Sequence, residues 1–375
     1  MKVALVHDYI KEYGGAERVL EGLHKIYPDA DVYTTVYLPK FLGPHAARFE
    51  NWSIKPSILQ LIPMKGKMIS IFRFVEPIIF RLMDLRSYDL IIVSKCGNYA
   101  SINSFRKRRG ALHICYCHTP PRYLYGYPVA NRWDNSFVRK TLFVLGRIPM
   151  YFMRKLDYID GQKPDYFIAN SAEIAGRIKK FYARDAIVIH PPIDIPKINI
   201  PVPMKDRKYY LTGGRLSRNK AFDLAVVACT KLNLPLKVFG KGFGGYGEND
   251  LKKQAGPNVE FLGEVSQAQK WELIKNAKAY ISPSLQEDFG MLNLEVNAGG
   301  TPVIAYNSGG VKETVIDGKT GVLFDEPNVE SIVSAIKRFE KIGFSPETLI
   351  IHAKKFSSET FEKEIKRFVA DKISK

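Results

Sequence analysis

The chain has 375 residues, 46% of them hydrophobic and 25% charged, and 56 Lys and Arg against 38 Asp and Glu leave a net charge of +18. That length suits two domains better than one core, and the composition excludes fibrous, low-complexity and disordered classes. The charge calls for anionic partners: nucleic acid, an anionic membrane surface or a phosphorylated substrate.

Residues Met1 to Tyr9 turn polar too quickly for a signal peptide. No apolar run approaches the roughly 20 residues that span a bilayer, so folding in the cytoplasm is expected. Strands are expected near Lys2–Val6, Leu90–Val93, Leu112–Cys117, Tyr166–Ala169 and Ile187–Ile189, alternating with helical patterns. Short apolar runs in that alternation predict buried parallel strands covered by helices, an α/β class.

The first strand runs through Val6-His7-Asp8-Tyr9 to Gly14-Gly15-Ala16-Glu17-Arg18, a glycine turn opening a helix. It lacks the full Gly-x-Gly-x-x-Gly fingerprint, which disfavours NAD. Two stretches, Lys55–Arg86 and Arg139–Lys155, mix apolar and basic residues, and Arg106-Lys107-Arg108-Arg109 lies between them. Two readings stay open: the stretches lie on an anionic membrane, or their apolar faces pack on the first sheet while the charges meet water.

Cys115 and Cys117 alternate in one strand and share a face, without zinc-site spacing. With Cys96 and Cys229 they read as reduced thiols of a cytosolic protein. His118 closes that strand in Cys117-His118-Thr119-Pro120-Pro121-Arg122-Tyr123. A lone histidine is more often structural, but a strand end at the ligand-binding edge of a parallel sheet favours a functional one.

Prolines at 191, 192, 196, 201 and 203 mark a linker after His190. Strands then resume near Tyr209–Leu211, Leu236–Phe239, Val259–Leu262, Ala279–Ile281, Val303–Ala305 and Gly321–Phe324, with helices over Asp223–Lys231 and Ser331–Ile342 among those between them. The expected domains are residues 1–195 and 196–355. A last basic amphipathic helix, within residues 356–375, should return to the first.

Four segments of the second domain follow strands. Gly213-Gly214-Arg215-Leu216-Ser217-Arg218-Asn219-Lys220 brings two cations, Arg215 and Lys220, suited to phosphate oxygens. Pro283–Glu295 carries Glu287 in a loop with Asp288, Phe289 and Gly290, and Glu295 in the next helix, whose start offers free amides to an anion. Phe239-Gly240-Lys241-Gly242 and Asn307-Ser308-Gly309-Gly310 are further glycine turns. Each alone fits an ordinary turn. Together, at one edge of one parallel sheet, they describe a site for a phosphorylated sugar ligand.

These motifs resemble the retaining glycosyltransferases of family four, with the GT-B fold. Glu287 and Glu295 match the Glu-x7-Glu signature, Gly214-Arg215-Leu216 with Lys220 matches the Gly-Arg-Leu segment, and Gly309-Gly310 with Glu313 matches the Gly-Gly-x-x-Glu turn. The resemblance implies two Rossmann-like doubly wound domains facing across a cleft. It also implies Arg215, Lys220, Gly14 and Gly15 at the donor diphosphate, with Glu287, Asp288, Phe289, Gly290 and Glu295 at the donor sugar and ribose. Gly263, Glu264 and Val265 fall near the nucleobase, and His118 near the reacting carbon.

The His118–Tyr123 string is similar to mannosyltransferase-like members that build bacterial surface polysaccharides, implying GDP-mannose or a related donor and a lipid-linked or saccharide acceptor. No metal and no cofactor are expected, the nucleotide-sugar being a co-substrate. No nucleic-acid module is visible. A sugar-nucleotide 2-epimerase of the same fold and a non-catalytic nucleotide-sugar-binding protein remain as alternatives.

Overall fold

The computed structural model describes residues 1–129, 147–196 and 202–373. Residues 139–146 of the second basic apolar stretch, and Pro201, lie outside the described residues. Two compact units divide the chain: one holds Met1–Gly126, the segment ending at Pro192 and the helix Ser358–Ile373, and the other holds Ile193–Ser357. The division falls after Pro192 and Ser357 for a local reason. Ile193 bridges Ser357, and its amide donates to the Phe356 carbonyl at 3.0 Å, stitching both ends of the second unit together.

The first unit carries strands β1 (Val3–His7), β2 (Asp31–Thr34), β3 (Ile54–Pro56), β4 (Leu90–Lys95), β5 (Leu112–Cys117), β6 (Tyr166–Ala169) and β7 (Ala186–Val188). All pair in parallel, in the order β3-β2-β1-β4-β5-β6-β7. Residue alternation fills both faces. Ala4, Val6, Ile91, Val93, Cys115 and Cys117 look into one apolar cluster, while Leu5, Leu90, Ile92, Ile114 and Tyr116 look into the other.

Strands β2 and β3 are absent from the sequence expectation. β2 is half-exposed in alternation, and β3 is a short edge strand whose Lys55 and Pro56 are exposed. Neither has the continuous apolar run that marks a central parallel strand, and proline is tolerated at an edge. The final helix places Phe361, Ile365, Phe368 and Val369 on the second cluster, spaced along one helical face.

The second unit carries β8 (Tyr209–Leu216), β9 (Leu236–Gly242), β10 (Val259–Gly263), β11 (Ala277–Ser282), β12 (Val303–Tyr306) and β13 (Gly321–Phe324). These too are all parallel, in the order β10-β9-β8-β11-β12-β13. Each unit is therefore a doubly wound parallel sheet. One expectation needs correcting. Gly213–Leu216 and Gly240–Gly242 are not turns after strands but the paired ends of β8 and β9, with Gly214 opposite Gly240. A side chain at Gly240 would begin 1.8 Å from the Gly214 carbonyl oxygen, so glycine is what lets these strands continue.

The basic apolar stretch Lys55–Arg86 divides its residues between two environments. Its helices Lys65–Phe72 and Glu76–Leu82 bury Phe72, Ile79 and Phe80 in the first core but expose Ile71, Ile78 and Leu82, as the turn between them exposes Phe74. Pro77 occupies the first turn of the second helix, where a missing amide is harmless. The helix Arg147–Asp160 likewise exposes Tyr151 and Phe152 while Asp157 and Asp160 bind the fully buried Lys95 at 2.8 and 3.3 Å. Among the described residues no helix is long and apolar enough to cross a membrane.

Candidate functional site

In the second unit the parallel strands bring their carboxyl ends to one edge. Arg215, near the end of β8, is exposed and rests its guanidinium 4.8 Å from the Phe243 ring centroid. In register beside it, Lys241 pairs with Glu264 at 2.9 Å. Lys220 follows in a short turn, Arg218–Lys220, and forms an ion pair with Glu287. The carriers of that pair are themselves tied: the Leu285 amide donates to the Asn219 carbonyl at 2.8 Å.

The Glu287 loop is held from its other side by the glycine turn after β12. The Gly310 amide donates to the Glu287 carbonyl at 2.8 Å. A side chain at Gly309, where φ is +62°, would begin 2.1 Å from that same oxygen. Only backbone without a Cβ fits so close. The Arg218–Lys220 turn, the Gly309–Gly310 turn and the carboxylate loop thus form one hydrogen-bonded assembly.

The rest of the Glu287 loop divides. Asp288 is partly exposed, and Gly290 caps the start of the helix Met291–Ala298. The Phe289 ring is buried against Phe356, with centroids 5.8 Å apart, so only its backbone can serve a ligand. Glu295 is buried in that helix, where Lys270 of the helix Gln267–Asn276 donates to it at 3.0 Å. A buried carboxylate needs such a partner, and removing one member of a buried pair costs about 3–5 kcal/mol. Lys270 was not legible beforehand: its helix carries no motif. Gly263 ends β10 with φ +66°, beside exposed Glu264 and partly buried Val265.

In the first unit Gly14 and Gly15 open the helix Gly15–Ile26, and the Glu17 carboxylate accepts the Gly14 amide at 2.9 Å. His118 follows β5 and is buried. Its amide donates to the Lys95 carbonyl at 2.9 Å, its carbonyl accepts from Asn170 at 3.0 Å, and its Nε2 lies 2.9 Å from Ser94 Oγ. Burial, and secondarily the His7 imidazole, hold its pKa down at about 3. A neutral imidazole here can orient a ligand by hydrogen bonding but brings no positive charge.

Comparison with known proteins accounts for both units. The family model Glycosyltransferase Family 4 matches residues 13–197, and Glycosyl transferases group 1 matches residues 196–356. A glycogen synthase of Thermus thermophilus is 33% identical over 39% of this chain and 35% of its own length. An alpha-1,3/1,6-mannosyltransferase of Dictyostelium discoideum is 32% identical over 48% of this chain and 49% of its own. The chain thus spans between a third and a half of the length of these relatives. Among solved structures, Anabaena HepE in complex with UDP shares the fold with a TM-score of 0.67 at 17% identity, covering 99% of this chain and all of that one. A lipopolysaccharide outer core galactosyltransferase shares it with a TM-score of 0.63 at 16% identity, over 99% of this chain and all of that one.

The buried neutral His118 has a consequence for stability. In the unfolded chain an imidazole takes up a proton near pH 6.5, whereas the folded state resists until about 3. Below 6.5 the unfolded state binds the extra proton, so stability is full above that pH and declines as pH falls toward 3. A His118→Gln variant should lose about 1.4 kcal/mol of sensitivity per pH unit across that window. Denaturant unfolding of both proteins at about pH 7.5, 6 and 5 measures this, and parallel slopes would contradict it.

Proposed function

We propose that the chain, whose two halves match glycosyltransferase family models, transfers a sugar, with retention, from a nucleotide-diphosphate donor to an acceptor. The observation that carries the reading is the Lys220–Glu287 ion pair, held on two loops that share a backbone hydrogen bond at the carboxyl edge of the second sheet. Ligands of open parallel sheets bind at that edge.

Glycosyl transfer builds positive charge on the sugar ring while the nucleotide diphosphate leaves with negative charge. Groups that stabilise charge developing only in the transition state accelerate such a step. Arg215 grips the diphosphate in this reading. Lys220 has three donors, enough to keep Glu287 and reach a phosphate oxygen together. The amides at the start of Met291–Ala298 face the same anion. Glu287 holds sugar hydroxyls, Glu295 the ribose and the β10 end at Gly263–Val265 the nucleobase.

His118 orients the donor sugar, and Gly14 and Gly15 approach the phosphates. The acceptor attacks on the face the leaving group vacates, a phosphate oxygen takes its proton, and no covalent nucleophile is assigned. No metal or cofactor is assigned either. GDP-mannose is favoured as donor by the His118–Tyr123 string and by the likeness to the Dictyostelium mannosyltransferase.

Replacing Glu287 with alanine should lower transfer by about a hundredfold or more while nucleotide binding changes little. Unchanged transfer would overturn the assignment, and binding without any transfer in the parent protein would favour the non-catalytic alternative.

The acceptor is assigned as lipid-linked, which would bring the protein to the inner face of the membrane as a peripheral partner. The support is the exposed row Ile71, Phe74, Ile78 and Leu82 amid basic residues, together with the net charge of +18. Vesicles rich in phosphatidylglycerol should sediment the protein at low salt, and Ile78→Ser with Leu82→Ser should weaken that binding. Recovery of the whole protein in the supernatant at low salt would refute the membrane assignment.

A further inference from the structure

Three buried side chains of the first unit, outside the proposed reaction, form a line that ends on His118. Glu17 Oε1 lies 3.6 Å from His7 Nε2, His7 Nδ1 lies 3.1 Å from Ser94 Oγ, and Ser94 Oγ lies 2.9 Å from His118 Nε2. All four residues are at most 8% exposed, so water does not substitute for these partners. The sheet builds the line directly. His7 ends β1 and stands in register with Ser94 on the adjacent β4, while His118 follows β5 on the far side of β4.

A serine hydroxyl has one hydrogen, so between two imidazoles it donates to one and accepts from the other. Glu17 decides the direction. Its Oε2 takes the Gly14 amide, which leaves Oε1 facing His7 Nε2. At 3.6 Å that contact is too long for a hydrogen bond, but a carboxylate in a low-dielectric setting still favours the tautomer that turns N–H toward it. In that tautomer His7 Nδ1 is bare and takes the Ser94 hydrogen. The Cys96 thiol, 3.7 Å from both ring nitrogens, does not compete, because it donates to the Ser94 carbonyl at 3.5 Å. The Ser94 oxygen is left to accept from His118 Nε2.

We propose that Glu17, His7 and Ser94 are positioning residues that fix His118 as its Nε2–H tautomer, so that its Nδ1 accepts a hydrogen bond from a hydroxyl of the bound donor sugar. The hydroxyl contact rests on the proposed function; the tautomer does not. Without the line, an imidazole divides between two tautomers and presents the wrong one part of the time.

The test labels histidine nitrogens in the full chain and reads long-range proton–nitrogen correlations at neutral pH, with His118→Gln assigning the signal. His118 should show a protonated Nε2 and a bare Nδ1. Ser94→Ala should move His118 toward a mixture of tautomers, and Glu17→Gln, which can still cap Gly14, should do the same more weakly. The second variant keeps the test available if Ser94→Ala fails to fold. Transfer kcat should fall about tenfold in Ser94→Ala, the worth of one neutral hydrogen bond, with the donor KM little changed. A proton on Nδ1 in the parent protein, or nitrogen signals unmoved in both variants, would overturn the relay. Moved signals with unchanged kcat would instead overturn the hydroxyl contact and the placement of His118 at the donor.

Discussion

The carbonyl oxygen of Glu287 sits where two loops converge, and the arrangement of the second unit's edge depends on that convergence. The Gly310 amide donates to it, and the absence of a side chain at Gly309 lets the turn come that close. With the backbone so fixed, the Glu287 carboxylate meets Lys220, whose own turn is tied to the loop through Leu285 and Asn219. The ion pair is half-buried, so it gains more than a surface pair would without the full desolvation cost of a core pair. It also holds a cation and an anion in readiness at the edge where parallel sheets present ligands.

Glycine does different work at the neighbouring strand ends. The pairs Gly213–Phe239 and Gly214–Gly240 let β8 and β9 run on past the point where side chains would collide. The Gly213 carbonyl accepts the buried Tyr280 hydroxyl at 2.7 Å, which ties β8 to β11 at the same level. Arg215 is thereby carried on a strand end rather than on a loose turn. A cation delivered by a strand loses less conformational entropy on meeting an anion than one on a free loop.

Much of this was legible in the chain itself, for identifiable reasons. Central strands contain apolar runs such as Leu90–Val93 and Ile114–Cys117, and the helix Ser358–Ile373 carries its apolar residues on one face. Edge strands β2 and β3 were not legible, because half-exposed strands lack that signal. Glu287, Lys220 and the Gly309–Gly310 turn could be named from motif and spacing, but not their mutual contacts, which span up to 67 residues of sequence. The partners of buried groups were the least legible. Lys270 for Glu295, and Ser94 for both His7 and His118, are specified only by the register of strands and the packing of helices. The Gly14–Glu17 spacing was the one local clue to the line ending on His118, since it is that of a helix-capping pair.

The central claim is that the carboxyl edge of the second sheet binds a nucleoside diphosphate through Arg215 and Lys220. Thermal unfolding in the presence of GDP, UDP and ADP tests it most directly. A nucleotide at about 100 times its Kd should add roughly 2.7 kcal/mol of stability. The account predicts that GDP or UDP raises Tm and that a combined Arg215→Ala and Lys220→Ala variant loses most of that gain. No rise with any of the three nucleotides, or an equal rise in the double variant, would contradict it.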